Sequence, residues 1–166
     1  MRPPGRPVVL AGVLGLLAGV AATRLGAPLL RDAVMLAAFT AAAVIDVRTR
    51  RIPNALSLFT VLFGVASAPG TVGVPAALAG TLLALAAGVL LAACARGAFG
   101  LGDVKLLAAA GAGVGWAGLP ALFLVVSLAG GAIALGYALA MRRRDATMPY
   151  GPAIATGVLW LMLVAR

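Results

Sequence analysis

Long apolar stretches fill the chain, and short polar or Pro/Gly-containing breaks separate them. Taken in order they predict seven helices, at about residues 8–23, 29–47, 54–68, 75–95, 104–117, 120–141 and 150–165. No segment alternates apolar and polar residues as a half-buried strand does. Most stretches approach the roughly 20 residues needed to cross a hydrocarbon layer of about 30 Å. Two of them, 54–68 and 104–117, are short for a full crossing; they extend into their loops, tilt little, or reach only part of the way. The pattern predicts an all-α, polytopic transmembrane helix bundle of about seven spans. An N-terminal span and loop (1–28) precede a six-span unit (29–166). Basic residues before the first apolar run resemble a secretory signal, but further spans follow at once, so an uncleaved first span is expected.

Composition sharpens this picture. Hydrophobic residues make up 63% of the chain and charged ones 10%, against about 45–50% and 25% in soluble domains. A soluble domain could not cover itself with so few charges, and a disordered chain would not be so apolar. The net charge of +9 would suggest nucleic acid in a soluble protein. Here the bases fall in loops, so membrane lipid is the expected neighbour and no nucleic acid is implied. With the N-terminus inside, Arg2, Arg6, Arg48, Arg50, Arg51, Arg96, Lys105, Arg142, Arg143 and Arg144 share the inner face. Arg24, Arg31 and Arg166 take the outer one. The bias places Asp46, Asp103 and Asp145 on the cytoplasmic side and Asp32 on the opposite rim.

The chemistry available is narrow, because Glu, His and Gln are absent. Without His there is no Ser-His or Cys-His pair and no HExxH zinc site. Without Glu or His a helical di-iron site is excluded. Cys94 is the only cysteine, so there is no internal disulfide and no cysteine zinc site, and the residue reads as a small hydrophobe. No cofactor or metal is expected. A Ser/Lys dyad would need Lys105, which sits at a helix edge, whereas Ser57, Ser67 and Ser127 lie within spans or toward their far ends.

Aspartates are the remaining acid–base groups. Asp46 ends an apolar helix and opens IDVRTRRIPN (45–54); Asp103 sits in GLGDVK (100–105), where another helix begins. Topology returns both to one membrane face. Two carboxylates close together at a low-dielectric edge share a proton, so one can activate water while the other protonates a carbonyl. Gly100 and Gly102 allow backbone to pack closely before Asp103. The start of a helix favours the charged form of Asp103, and the C-terminal position of Asp46 has the opposite bias. Pro53 fits the first turn of the next helix.

Each residue also has a plainer reading. Asp46 could pair with Arg48 or Arg50, and Asp103 could be an N-cap. Asp32 beside Arg31 reads as an N-cap on the outer rim, and Asp145 beside Arg142–Arg144 as a solvated loop charge. Lys105, two residues from Asp103, falls on roughly the opposite helix face and would hold the helix end at the headgroups. Gly111 and Gly115 are spaced for a close helix approach, which by itself specifies no partner. A small transporter or assembly scaffold using its aspartates for ion or helix contacts is the non-enzymatic alternative.

Three patches together resemble the type IV prepilin peptidases, membrane aspartic peptidases with a GxGD signature. They are Asp46 followed by bases and Ile52-Pro53-Asn54, then Gly100-Leu101-Gly102-Asp103-Val104-Lys105, then Pro149-Tyr150-Gly151-Pro152. The resemblance covers about residues 29–165. It implies that Asp46 and Asp103 are the catalytic pair, supported by Pro53, Asn54, Gly100, Gly102, Lys105, Pro149, Gly151 and Pro152. It also implies a substrate: the precursor of a pilin or pseudopilin, with a short basic leader ending in Gly before an apolar helix. Cleavage would occur at the cytoplasmic face of the inner membrane. Longer members of that family carry a cytoplasmic insert with paired cysteines and also methylate the new N-terminus. With one Cys and no such insert, this chain resembles the short Flp/Tad type, which implies cleavage without methylation. Presenilin-like proteases share GLGD but place a Tyr before the first Asp, where this chain has Ile45, so they rank second.

Overall fold

The computed structural model describes residues 6–26, 28–95, 99–141 and 149–164. These form α1 (Arg6–Arg24), α2 (Pro28–Thr49), α3 (Asn54–Ala66), a 3₁₀ turn (Ala68–Gly70), α4 (Val74–Cys94), α5 (Leu101–Met141) and α6 (Gly151–Leu163). Helices α1, α2, α4 and α5 are long and apolar enough to cross a membrane, and α3 and α6 are shorter apolar helices. The expected all-α bundle is present. Arg2, Arg96, Arg142, Arg143, Arg144, Asp145 and Arg166, read above as loop or terminal charges, lie outside the described residues.

Residues 104–117 and 120–141, expected as two helices parted at 118–119, are instead two limbs of α5 that meet at Gly115 (φ 69°, ψ 174°). Residues with a Cβ rarely adopt that conformation, so the break falls on a glycine. A Cβ there would also lie 3.3 Å from Val72 Cβ, so the connection before α4 packs against the break. The second limb folds back along the first: Leu107 on one and Phe123 and Val126 on the other line a common cavity. Helix α6 then runs antiparallel to the second limb, with Gly157 against Val126 and Leu122, and Gly130 against Tyr150.

Small residues set the remaining spacings. Lipid is as apolar as a side chain, so helices in it associate by close packing more than by leaving water. Gly111, singled out by its spacing, meets Gly80 of α4, and a Cβ on either would collide with the other's backbone. Gly12 and Gly19 likewise bring α1 alongside α3, against Leu58 and Ala66. In both helices the numbering rises in the same direction, so α1 and α3 are parallel. These directions bring the motif-bearing helix ends to one end of the bundle: the last turn of α2 and the starts of α3, α5 and α6, with the end of α4 beside them. Cys94 is the last residue of α4 and is exposed, so it does not pack as a core hydrophobe.

At the opposite end, Arg31 and Asp32 do not form an N-cap on the rim. Helix α2 begins at Pro28, which puts Asp32 in its second turn, and both residues are buried. Arg31 Nη1 lies 3.3 Å from Asp32 Oδ1, Nε donates to Ser67 Oγ at 3.3 Å, and Nη2 donates to the Gly113 carbonyl at 2.6 Å. That carbonyl belongs to the last turn before the break at Gly115, where intrahelical partners run out and a cation is favoured. The arginine thus ties α2 to the end of α3 and to the first limb of α5.

Candidate active site at the motif end of the bundle

Helix α2 closes with Arg50 in the left-handed region at φ 54°, the conformation common just past a helix C-terminus. Thr49 Oγ1 donates to the carbonyls of Ile45 at 2.9 Å and Arg51 at 3.1 Å, which bends the chain back toward the bundle. The bend buries Ile52 and leads to Pro53 at the N-cap of α3. Pro53 therefore sits one residue before the first turn expected for it. Its carbonyl accepts the N–H groups of Leu56 and Ser57.

Ile52 packs against the second motif. A Cβ on Gly102 would lie 3.3 Å from Ile52 Cβ, so the missing side chain admits this contact. Helix α5 starts at Leu101, which places Asp103 within the first turn. Its Oδ2 accepts the backbone N–H of Gly100 at 3.2 Å, as an acid three residues into a helix can reach back to the capping position. The plain capping role of Asp103 is thus met in part, and its carboxylate still lines the cleft described below.

Asp46, in the last turn of α2, is buried and points toward the third motif. Its Oδ2 accepts the backbone N–H of Gly151 at 2.9 Å. Gly151 is the first residue of α6, with Pro152 next and buried Pro149 two residues before. A Cβ on Gly151 would sit 2.9 Å from both Cβ and Oδ2 of Asp46; only glycine lets the helix start reach the carboxylate. The C-terminal position of Asp46 on α2 is thus accompanied by a helix start at its carboxylate. Each carboxylate accepts an N–H at the start of a helix, Asp46 from α6 and Asp103 from its own α5.

Asp46 and Asp103 line one cleft of about 330 Å³ together with Arg50, Arg51, Ile52, Asn54, Gly100, Gly102 and Lys105, and their charges act on each other. Lys105 is not on the far side of its helix. It lines the same cleft, and its Nζ donates to Asn54 Oδ1 at 2.8 Å, joining the first and second motifs. Ser57 and Lys105 also come to one groove, closer than the helix map suggested. The Ser57 hydroxyl, however, donates to the Pro53 carbonyl at 3.5 Å, while Lys105 is engaged by Asn54. Among the described residues no group of three or more acidic, Cys or His side chains could hold a metal ion. The cleft can thus present two carboxylates to a carbonyl and a water, with cationic side chains around them.

Sequence reasoning missed Phe99, just before the second motif, and gave no role of its own to Tyr150 within the third. Their rings meet edge to face with centroids 5.2 Å apart, and only the adjacency to Gly100 and Gly151 signalled them.

The type IV leader peptidase family matches over residues 33–135. The chain is 38% identical over 122 residues to the prepilin leader peptidase/N-methyltransferase of Escherichia coli (strain K12), covering 69% of this chain and 54% of that protein. It is 34% identical over 131 residues to the protein of the same name from Burkholderia pseudomallei (strain 1026b), covering 73% and 42%. A Dickeya chrysanthemi protein of that name is 39% identical over 129 residues, covering 74% and 45%. The chain spans about half the length of the curated relatives it matches. No solved structure matches it.

Proposed function

The chain belongs to the type IV leader peptidase family, and on that footing we propose that it removes the short leader from type IV prepilin or pseudopilin precursors. The names of the relatives support this substrate class. The observation that carries the reading is the shared cleft, in which Asp46 and Asp103, from two distant motifs, face one space. In the proposed reaction, one carboxylate takes a proton from a water while the other, protonated, gives its proton to the scissile carbonyl. Water oxygen bonds to the carbonyl carbon, the C–N bond then breaks, and the leaving amine takes up a proton. The peptidase unit is residues 29–166, with α1 as an added span. The excess of bases that the sequence pattern assigns to the motif side, ten of thirteen, supports a cleft that faces the cytoplasm from the inner membrane.

Co-expression with a candidate precursor tests this reading. With the chain present, N-terminal sequencing returns the shortened product; a precursor left intact by well-expressed chain would remove the proposal. The Gly151–Asp46 contact adds a second expectation. Gly151→Ala forces the carboxylate or the α6 start to move, and a misplacement of about 1 Å costs roughly a hundredfold in rate. Gly136→Ala, where an added Cβ meets nothing within 4 Å, serves as the control. Equal processing by the two variants would remove Gly151 from the positioning of Asp46.

A further inference from the structure

The aspartate cleft does not end at Lys105. Lys105 and Asn54 also form the head of a second depression of about 380 Å³, a groove bordered by α1, α3, α4 and the first limb of α5. Below that head its walls are almost wholly apolar, with Leu58 and Val61 on α3, Leu85 on α4 and Ala108 on α5. Helix α3 starts at the cleft end, so Val61, seven residues beyond Asn54, lies about 10 Å deeper at 1.5 Å per residue. On α4, which arrives at the cleft end at Cys94, Leu85 lies about 14 Å from that end by the same rise. The groove therefore leaves the cleft and runs along the helices into the apolar layer. The other large apolar cavity beside the site, walled by Phe99, Leu107 and Tyr150, shares no lining residue with the aspartate cleft.

We propose that this groove holds the first turns of the substrate's own apolar helix, with the Lys105–Asn54 hydrogen bond marking the junction between cleft and groove. The inference rests on the leader-peptidase reading. A precursor of that class has a polar leader on one side of the scissile bond and an apolar helix on the other. A site at the bundle end must hold the bond at the carboxylates while the helix passes directly into an apolar environment. A groove that shares two residues with the cleft and then turns apolar meets that requirement. Unlike a lipid chain, the substrate helix is covalently continuous with the peptide bond in the cleft, so groove contacts raise the local concentration of that bond at the aspartates.

The test uses the full chain in lipid nanodiscs and two substrates: a whole precursor, and a water-soluble peptide that spans the cleavage site but lacks the apolar helix. Val61→Trp and Leu85→Trp fill the groove from opposite walls, and neither residue lines the aspartate cleft. Each variant is expected to lower kcat/KM for the whole precursor by roughly ten- to a hundredfold, the range that over-filling a packed contact produces. Cleavage of the short peptide is expected to stay at the wild-type rate. Unchanged cleavage of the whole precursor by both variants would overturn the proposal, as would an equal fall on both substrates. A second measurement places a photoreactive side chain at Leu85, on the groove wall away from the α1 contact of Leu58, in the Asp46→Asn background. A cross-link to the precursor's apolar helix supports the proposal, and a cross-link confined to lipid or to this chain's own N-terminal segment contradicts it. Failure of the wild-type chain to cleave either substrate would instead strike the leader-peptidase reading itself.

Discussion

Asp46→Asn and Asp103→Asn are each expected to leave most of a co-expressed precursor at full length, with cleavage slowed by about 10²- to 10⁴-fold. Asn keeps the size of the side chain and can still accept the N–H groups now donated by Gly151 and Gly100. The substitution therefore removes the exchangeable proton and the charge while sparing the local fold. Both carboxylates line the same cleft, and the proposed reaction needs one to take a proton as the other gives one. Neither can do the other's part. Groups that act as a unit are strongly non-additive, so the double variant should be no slower than either single one. Multiplicative losses, or residual cleavage by one variant within tenfold of wild type, would mean that the two aspartates do not share a step.

Arg31→Met should cause the largest loss of stability. The guanidinium is buried and joins three parts of the bundle: Asp32 on α2, Ser67 beyond α3 and the Gly113 carbonyl before the break in α5. Removing it leaves the Asp32 carboxylate buried without that cation and takes the donor away from Gly113. Breaking a buried pair by deleting one partner costs about 3–5 kcal/mol, so the thermal midpoint in detergent should fall by several degrees. Arg24→Met, at an exposed residue ending α1, should leave the midpoint in place. Replacing both members, Arg31→Met with Asp32→Leu, should recover part of the loss, because the buried carboxylate is removed together with its cation. A midpoint unmoved by Arg31→Met would show that the α5 break needs no such tie.

The helices were legible because apolar runs and their Pro/Gly breaks are local signals, and the convergence of Asp46 and Asp103 follows from counting those runs. The break in α5 was misplaced for a physical reason. Residues 111–118 offer four glycines, and the contact of Gly115 with Val72, distant in sequence, selects among them. Arg31 and Asp32 looked like rim charges because they sit near the start of an apolar run. The carbonyl that Arg31 satisfies exists as an open acceptor only once the break at Gly115 has formed. Gly151 stood out as part of a motif, but its contact with Asp46 depends on how α6 meets α2, which no spacing within either segment encodes. Lys105 was assigned to the wrong side by helix periodicity; its long side chain and the returning Ile52–Asn54 segment bring it to the cleft.

The most direct measurement incubates the purified chain with a purified precursor in the presence of a strong metal chelator and follows the product by intact mass. The account predicts that the wild-type chain alone releases the leader, with the two fragments summing to the precursor plus one water. Asp46→Asn and Asp103→Asn chains of the same thermal stability should release none over the time in which the wild type goes to completion. Leader release by either variant within tenfold of the wild-type rate, or its loss from the wild type on chelation, would contradict the two-aspartate account.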